Sequence, residues 1–248
     1  MTLDGLRHAI GFLTRIPVRF GDDEPPRLAQ AVPWFPLVGA LVGAIAAAVL
    51  AAAAQLPGAE ASGVAAALGL AAGIVATGGL HEDGLADTAD GLGVHGDRER
   101  RLLVLRDSRL GTFGALALLL WALVAWSALR PLATEDAVRA LVAAGAASRW
   151  AILVHVRGGR PARPDGAIHA LRVGPLGGAL ASIVTATATL VLLDPVVGAT
   201  ALAVAGLLGL LTAAGATRAF GGLTGDTCGA TAALAQAAVL VVALAFAA

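Results

Sequence analysis

Lysine is absent from the 248 residues, and cysteine occurs once, at Cys228. Without lysine the chain cannot form the Walker A pattern GxxxxGK[ST], which excludes a P-loop nucleotide site. A single cysteine excludes an intrachain disulfide and a cysteine-based metal cluster, so we interpret Cys228 as a small buried thiol. Charged residues make up only 14% of the chain and its formal net charge is zero. It therefore has no basic field to recruit a nucleic acid, and none is expected as a partner.

Apolar residues dominate instead, at 58% of the chain with a mean hydropathy of +0.81. A helix needs about 20 apolar residues to cross a hydrocarbon core of about 30 Å. Runs of that kind predict transmembrane helices at 37–56, 62–80, 112–129, 176–193, 196–215 and 229–248, and a shorter seventh at 141–156. The predicted fold is an all-α polytopic membrane bundle of about seven transmembrane helices, forming a single domain over residues 1–248.

Arginines between these spans predict the orientation of the chain. Four lie in residues 1–36, five in 81–111, four in 157–175 and one in 216–228, against two in 130–140. Because arginine-rich short loops stay in the cytoplasm, we expect the first four segments, with the N-terminus, at the cytoplasmic face of the membrane.

The first residues predict an amphipathic helix lying at the membrane interface. Apolar and polar positions recur on opposite faces, with Leu3, Leu6, Ile10 and Leu13 against Asp4, Arg7 and His8.

The stretch "GGLHEDGLADTADG" from Gly78 to Gly91 gathers carboxylates at the end of an apolar run. If the second span continues past Leu80, Asp83, Asp87 and Asp90 share one helix face at i, i+4 and i+7. Oxygen ligands without a His or Cys partner suit Mg²⁺, and the interleaved glycines leave room for a ligand. The alternative is a solvated acidic helix end. We favour a metal site because the cluster lies at a membrane boundary.

His81 and Glu82 precede these acids. His81 is either a general base or a residue that caps the helix and hydrogen-bonds a carboxylate. Glu82 lies on another side of the helix and is interpreted as a supporting or solvated residue.

In "LRDSRLGTFGAL", Leu105 to Leu116, Arg106 and Arg109 are spaced i, i+3. Guanidinium groups bind phosphate in a bidentate manner, so both are candidates for an anionic substrate; the alternative is that they anchor the loop at the cytoplasmic surface. Arg149 lies inside a predicted span, where a charge indicates a functional or paired residue, unless it snorkels to the interface.

A third polar stretch, "GGLTGDTCGA", runs from Gly221 to Ala230 before the last span. Glycine-rich backbone at a helix N-terminus can bind an anion, with Thr224 a candidate substrate contact and Asp226 a candidate metal ligand or base. The alternative is a plain loop with Asp226 or Thr227 as the N-cap. Together the acids, arginines and glycine-rich turn indicate phosphoryl transfer.

These three stretches and "FLTRIPV", Phe12 to Val18, resemble in order and position the motifs of cobalamin synthase, the adenosylcobinamide-GDP ribazoletransferase family. The resemblance covers nearly the whole chain. It implies a multi-span inner-membrane enzyme of cobalamin biosynthesis that requires Mg²⁺ and completes the nucleotide loop. It further implies that adenosylcobinamide-GDP is joined to α-ribazole or its 5′-phosphate, with release of GMP.

Carried over by motif, the resemblance implies that Asp83, Asp87 and Asp90 bind metal and pyrophosphate. Arg106 and Arg109 match its RDSR motif and Asp226 its GDT motif. Whether copies of the chain associate stays open.

There are two alternative functions: another membrane transferase and, in a different functional class, a cation transporter. The CDP-alcohol phosphatidyltransferase pattern D-G-x2-A-R-x8-G-x3-D-x3-D begins like Asp83 and Gly84 but then meets an arginine and an apolar residue where two aspartates are required. A cation transporter would carry ionisable groups near the bilayer midplane, whereas here they collect at one face.

Overall fold

The computed structural model describes residues 2–20, 27–59, 63–163 and 167–247, and these are helical with no β-strand apart from one isolated bridge between Pro161 and Leu223. The helices in these ranges are α1 Leu3–Leu13, α2 Leu28–Ala31, α3 Phe35–Ala54, α4 Val64–Thr77, α5 Leu80–Gly93, α6 Arg98–Val104, α7 Thr112–Leu129, α8 Thr134–Arg157, α9 Pro175–Leu192, α10 Pro195–Phe220 and α11 Gly225–Ala245. The predicted all-α class is confirmed.

Six helical stretches of the described residues are long and apolar enough to cross a membrane, or seven if the bent pair α4 and α5 counts as one span. One of the six, Leu28–Ala54, runs from α2 through a short 3₁₀ turn into α3. The chain is therefore a multi-pass membrane protein, as predicted. The expected start of the second span at Ser62 and end of the last at Ala248 lie outside the described residues.

Helix α8 forms the centre of the bundle and is longer than the predicted segment 141–156. It starts at Thr134 and packs against α3, α9, α10 and α11. Small residues make this possible: Gly39 and Gly145 bring α3 and α8 into backbone contact, and alanine is the commonest residue on the buried face of α8. In a lipid environment such close packing replaces the hydrophobic force that drives helices together in water.

The second predicted span, 62–80, does not run on into the acidic stretch as one continuous helix. The chain breaks at Gly78 and Gly79, both in the left-handed region with φ of 67° and 74°, and α5 leaves α4 at 89°. Two consecutive left-handed residues are tolerated readily only by glycine. The amide of Gly79 donates to the carbonyl of Ile74 at 2.9 Å, which ends α4 after 14 residues.

Helix α1 is confirmed, but its buried face differs from the prediction. His8 is buried, whereas Leu3 is 78% exposed. The chain folds back after α1 so that Phe20 meets the His8 ring edge-on, with ring centroids 4.9 Å apart. The amide of Arg15 then donates to the carbonyl of Ala76 at 2.8 Å and ties this segment to the end of α4.

The two ends of the bundle carry different charges. We call the end where α8 and α10 finish and α11 begins the acidic end, because Asp83, Asp87 and Asp226 lie there. The opposite end, where α8 begins with Glu135, Asp136 and Arg139, is the paired end. All four arginine-rich segments predicted to share one face contribute residues to the acidic end.

Candidate active site

Helix α5 carries three aspartates on one side. Asp83, Asp87 and Asp90 all lie within Leu80–Gly93, so their i, i+4, i+7 relation holds although α5 is separate from α4. Asp83 is exposed, while Asp87 and Asp90 are half-buried.

Close packing of α5 on α11 brings a fourth carboxylate to this group. A Cβ on Gly84 would lie 2.7 Å from the carbonyl oxygen of Asp226 and 2.9 Å from the Cα of Gly229. No larger residue fits without moving one helix, so Gly84 sets the approach of Asp226 toward α5. The glycines were expected to make room for a ligand; Gly84 instead makes room for a helix, because the facing position on α11 is backbone.

The carboxylates lie close enough to repel one another, and only Asp226 has an arginine, Arg163, near enough for its charge to act on it among the described residues. Asp87 lies close enough to Asp83, Asp226 and Asp90 for their charges to act on it. In the described part of the chain, none of these four aspartates forms an ion pair. Unpaired carboxylates facing one another at the edge of a low-dielectric bundle are unfavourable unless a cation joins them.

The donor set fits Mg²⁺ better than a metal held wholly by protein. Among the described residues, no three His, Cys, Asp or Glu side chains converge closely enough to hold an ion by themselves. Mg²⁺ does not require this, since it usually takes one or two carboxylates and completes its shell with waters and substrate phosphates. Asp83 and Asp87, one turn apart on α5, supply such a pair.

Asp90 has a different local environment. Its two carboxylate oxygens accept hydrogen bonds from the backbone amides of Gly111 and Gly114, each at 2.8 Å. These amides lie at the N-terminus of α7, where the first N–H groups lack helical partners. Asp90 therefore fixes the start of α7, and with it the loop that carries Arg106 and Arg109, against α5.

The "GDT" turn forms the start of α11, and its N-cap is Thr224 rather than Asp226 or Thr227. The Thr224 hydroxyl accepts from the amide of Thr227 at 3.2 Å, and the Thr227 hydroxyl accepts from the amide of Thr224 at 3.0 Å. This reciprocal capping box places Asp226 in the first turn of α11, half-buried.

A buried histidine supports this turn from behind. His155 of α8 is fully buried, and its Nε2 lies 3.0 Å from the hydroxyl of Thr227. Its Nδ1 lies 3.0 Å from the hydroxyls of Thr212 and Thr231. One imidazole thus ties α8, α10 and α11 together directly behind Asp226.

Arginines border the acids in small cavities. Arg106 and Arg163 line a cavity of about 150 Å³ together with Thr224 and Asp226. Arg163 also donates to the carbonyl of Leu102 at 3.0 Å, which holds its loop against α6. Two guanidinium groups beside a helix N-terminus are suited to bind phosphate.

Arg109 lies apart from this cavity. Its side chain is 87% exposed and pairs with Asp107 at 2.6 Å. The hydrogen bonds from Arg109 lower the pKa of the Asp107 carboxyl to about 2, so the pair is ionised at every physiological pH. At this exposure the pair contributes little to stability.

A larger cavity of about 700 Å³ opens on the other side of Asp83. It is lined by Arg15, Thr77, Gly78 and Glu82. Arg15 belongs to the "FLTRIPV" stretch and supplies the one arginine of this lining.

Arg149 does not snorkel. It is 2% exposed in the middle of α8 and donates to Ser148 at 2.9 Å and to Gln236 at 3.5 Å. Glu82 and Arg149 line the same very small cavity, which has a volume of about 10 Å³. Glu82 Oε2 and Arg149 Nε are both buried without a hydrogen-bond partner in the described residues. The space suits one bridging water between two opposite charges.

His81 is buried at 3% exposure, and its Nδ1 also has no hydrogen-bond partner among the described residues. It lines a further, mostly apolar cavity beside Asp83 and Asp226.

Comparison with known proteins identifies the family. The sequence model of the cobalamin-5-phosphate synthase family matches residues 5–244. The chain belongs to the cobalamin-5-phosphate synthase family. The adenosylcobinamide-GDP ribazoletransferase of Mesorhizobium japonicum is 41% identical over 242 residues, covering 97% of this chain and 93% of that protein. The enzymes of the same name from Bradyrhizobium diazoefficiens and Ralstonia nicotianae are 42% and 41% identical, covering 97% and 89% of this chain and 93% and 87% of their own lengths.

A comparison of this chain with the solved structures found no match. The match to the family and the similarity to its members confirm the family resemblance that the four motifs indicated.

Sequence reasoning missed two arginines at the site, Arg15 and Arg163. Arg15 stands inside "FLTRIPV", a stretch that resembles the family motif but has no local pattern that predicts chemistry. Arg163 lies in an arginine-, proline- and glycine-rich loop that gives no local signal of its contact with α6 or Asp226.

Proposed function

We propose that this chain is an adenosylcobinamide-GDP ribazoletransferase, which joins adenosylcobinamide-GDP to α-ribazole or its 5′-phosphate and releases GMP. The observation that carries the proposal is the convergence of Asp83 and Asp87 of α5 with Asp226 of α11 beside two arginines, with no ion pair to any of the three aspartates in the described residues. The family and the names of its similar members support the same reaction.

The cofactor in this proposal is Mg²⁺, held by Asp83 and Asp87, with Asp226 close by. When bound there, the ion would neutralise negative charge on the pyrophosphate and polarise the phosphorus under attack. Asp90 retains lone pairs beyond its two backbone hydrogen bonds, so it could also contribute an oxygen to the ion while it fixes α7.

At the phosphorus atom, the reaction forms one P–O bond and breaks another. A ribose hydroxyl of α-ribazole attacks the phosphorus on the corrinoid side of the pyrophosphate, and the bond from that phosphorus to the bridging oxygen breaks. GMP leaves with the bridging oxygen, and a phosphodiester remains. Asp226 accepts the hydroxyl proton, since it borders both the arginine-lined cavity and the apolar one.

Arg106 and Arg163 bind the phosphates in this scheme, and Thr224 fixes the turn beneath them. Arg109 is exposed and already paired, so we assign it a weaker contact, to the outer part of the nucleotide.

We further propose that the acidic end faces the cytoplasm at the inner membrane. The arginine-rich segments that contribute to this end support that orientation. The nucleotide-activated substrate and Mg²⁺ would reach the site from that side, while the apolar faces of α7, α9 and α10 contact the lipid bilayer.

Purified protein in detergent, supplied with Mg²⁺, adenosylcobinamide-GDP and α-ribazole, should release GMP in proportion to the phosphodiester formed. Chromatography measures both products. Omission of either substrate or of Mg²⁺ should abolish GMP release. Correctly folded protein that releases no GMP with all three present would overturn the proposal.

A further inference from the structure

An apolar cavity of about 270 Å³ lies directly beneath the acids, between α1, α3, α5, α8 and α11. Phe12 and Phe35 form one wall, stacked with their ring centroids 5.8 Å apart and their planes within 11°. Ile152 and Cys228 line it further in. A cavity of about 150 Å³ holds benzene in an apolar protein core, so this one has room for a bicyclic aromatic ring.

The polar groups of the cavity are few and unevenly placed. Asp83 and Asp226 border it toward the acidic end. The other polar side chain is His81, which is 3% exposed and whose Nδ1 has no hydrogen-bond partner in the described residues. A buried polar atom without a partner is unfavourable, so the bound ligand is expected to supply one.

We propose that this cavity binds the aromatic base of the nucleoside acceptor, with His81 hydrogen-bonded to the one ring nitrogen that the glycosidic bond leaves free. The inference rests on the proposed function. The base of α-ribazole is a dimethylbenzimidazole, a bicyclic ring with that single free polar atom. With the base among Phe12, Phe35 and Ile152, the ribose projects toward Asp83 and Asp226, where its hydroxyl is required.

The other substrate groups do not match this cavity. Guanine presents several donors and acceptors, and burying them against apolar walls without partners is unfavourable. The corrin ring is far larger than the space. The phosphates of the donor need the arginines, which line the two neighbouring cavities and are absent from the residues that line this one.

Filling the cavity tests the assignment. Cys228→Phe should raise the KM for α-ribazole by about tenfold or more, the order expected when apolar contacts are lost, and leave the KM for adenosylcobinamide-GDP unchanged. The control is Ala243→Phe, the same kind of enlargement on the same helix but in the cavity at the paired end; both KM values should stay at the wild-type level. An unchanged KM for α-ribazole in a folded Cys228→Phe protein would overturn the proposal.

Enlarging the cavity tests it without the risk of misfolding by overpacking. Ile152→Ala should accept a riboside whose base carries an additional fused ring, which wild-type protein should turn over at least tenfold less well than α-ribazole. If Ile152→Ala gives no relative gain with the larger base, the base does not bind here. Wild-type turnover of α-ribazole stays intact in that case, so this failure is distinct from failure of the proposed function.

The hydrogen bond has its own readout. Wild-type protein should prefer the benzimidazole riboside over its indole analogue, in which a C–H replaces the free ring nitrogen, by about tenfold. His81→Phe should lose that preference. A mutant that keeps the preference would show that His81 does not contact the base.

Discussion

The carboxylates at the two ends of the bundle differ in whether they have a local partner. At the paired end, Glu135 and Asp136 pair with Arg139 one turn later on the same helix, and Asp194 caps α10 by accepting from the amide of Val196 at 2.9 Å. At the acidic end, the charges of Asp83 and Asp226 act on Asp87, and none of these three aspartates forms an ion pair in the described part of the chain. The carboxylates of Glu135, Asp136 and Asp194 find partners locally, whereas Asp83, Asp87 and Asp226 are left for a ligand to neutralise.

The strongest contrast should come from the same substitution at both ends. Asp83→Asn and Asp87→Asn should each lower the rate of GMP release by about a thousandfold or more, because lost metal ligation removes several kcal/mol of transition-state stabilisation. Asp136→Asn should stay near the wild-type rate. Near-normal activity in both acidic-end mutants would place the metal elsewhere. Size-exclusion elution in detergent checks that all three proteins fold.

The next effect concerns the approach of α5 to α11. Gly84→Ala should lower kcat by about a hundredfold, since the new Cβ displaces Asp226 and a shift of about 1 Å in a catalytic group has that order of effect. Gly215→Ala is the matched control, because a Cβ there meets no atom within 4 Å. If Gly84→Ala keeps full activity, the distance between the helices is not what sets the site.

Removing one of two opposite buried charges, Glu82 of α5 and Arg149 of α8, should lower the free energy of unfolding. Arg149→Gln leaves Glu82 without its opposite charge, and removing one partner of a buried pair is expected to destabilise by about 3 kcal/mol. The double change Arg149→Gln with Glu82→Gln should recover part of the loss. Thermal unfolding in detergent measures both, and equal midpoints for single and double mutants would mean that the two groups are not coupled.

The smallest predicted effects separate the two arginines of "RDSR". Arg106→Ala should raise the KM for adenosylcobinamide-GDP by about tenfold, since a charge-assisted hydrogen bond contributes about 1.5–3 kcal/mol. Arg109→Ala should raise it by less, because Arg109 is exposed and paired with Asp107. Initial rates at varied donor concentration measure both. The reverse order would move the phosphate contact to Arg109.

Much of the fold followed from the sequence where the chemistry was local. The helix at 112–129 has the predicted bounds, because its apolar run is flanked by Gly111 and Arg130. The gathering of the acidic, arginine-rich and "GDT" stretches at one end also followed, from the alternation of arginines between spans.

The break at Gly78 and Gly79 could not be predicted. The apolar run continues through it to Leu80, and a glycine pair is not distinctive in a chain with 32 glycines. The contacts of Asp90 with α7 and of Arg163 with α6 were equally out of reach, since both join segments far apart in sequence and depend on tertiary packing.

The contact of Gly84 with Gly229 has a consequence for how the molecule is made. It joins α5 to α11, two helices far apart in sequence. Because synthesis proceeds from the N-terminus, a nascent chain carries its acidic helix without the α11 partner until α11 itself has been made. The reaction centre is therefore assembled only after α11 is inserted, and a chain truncated before Gly225 that inserts its earlier helices normally should still have no active site.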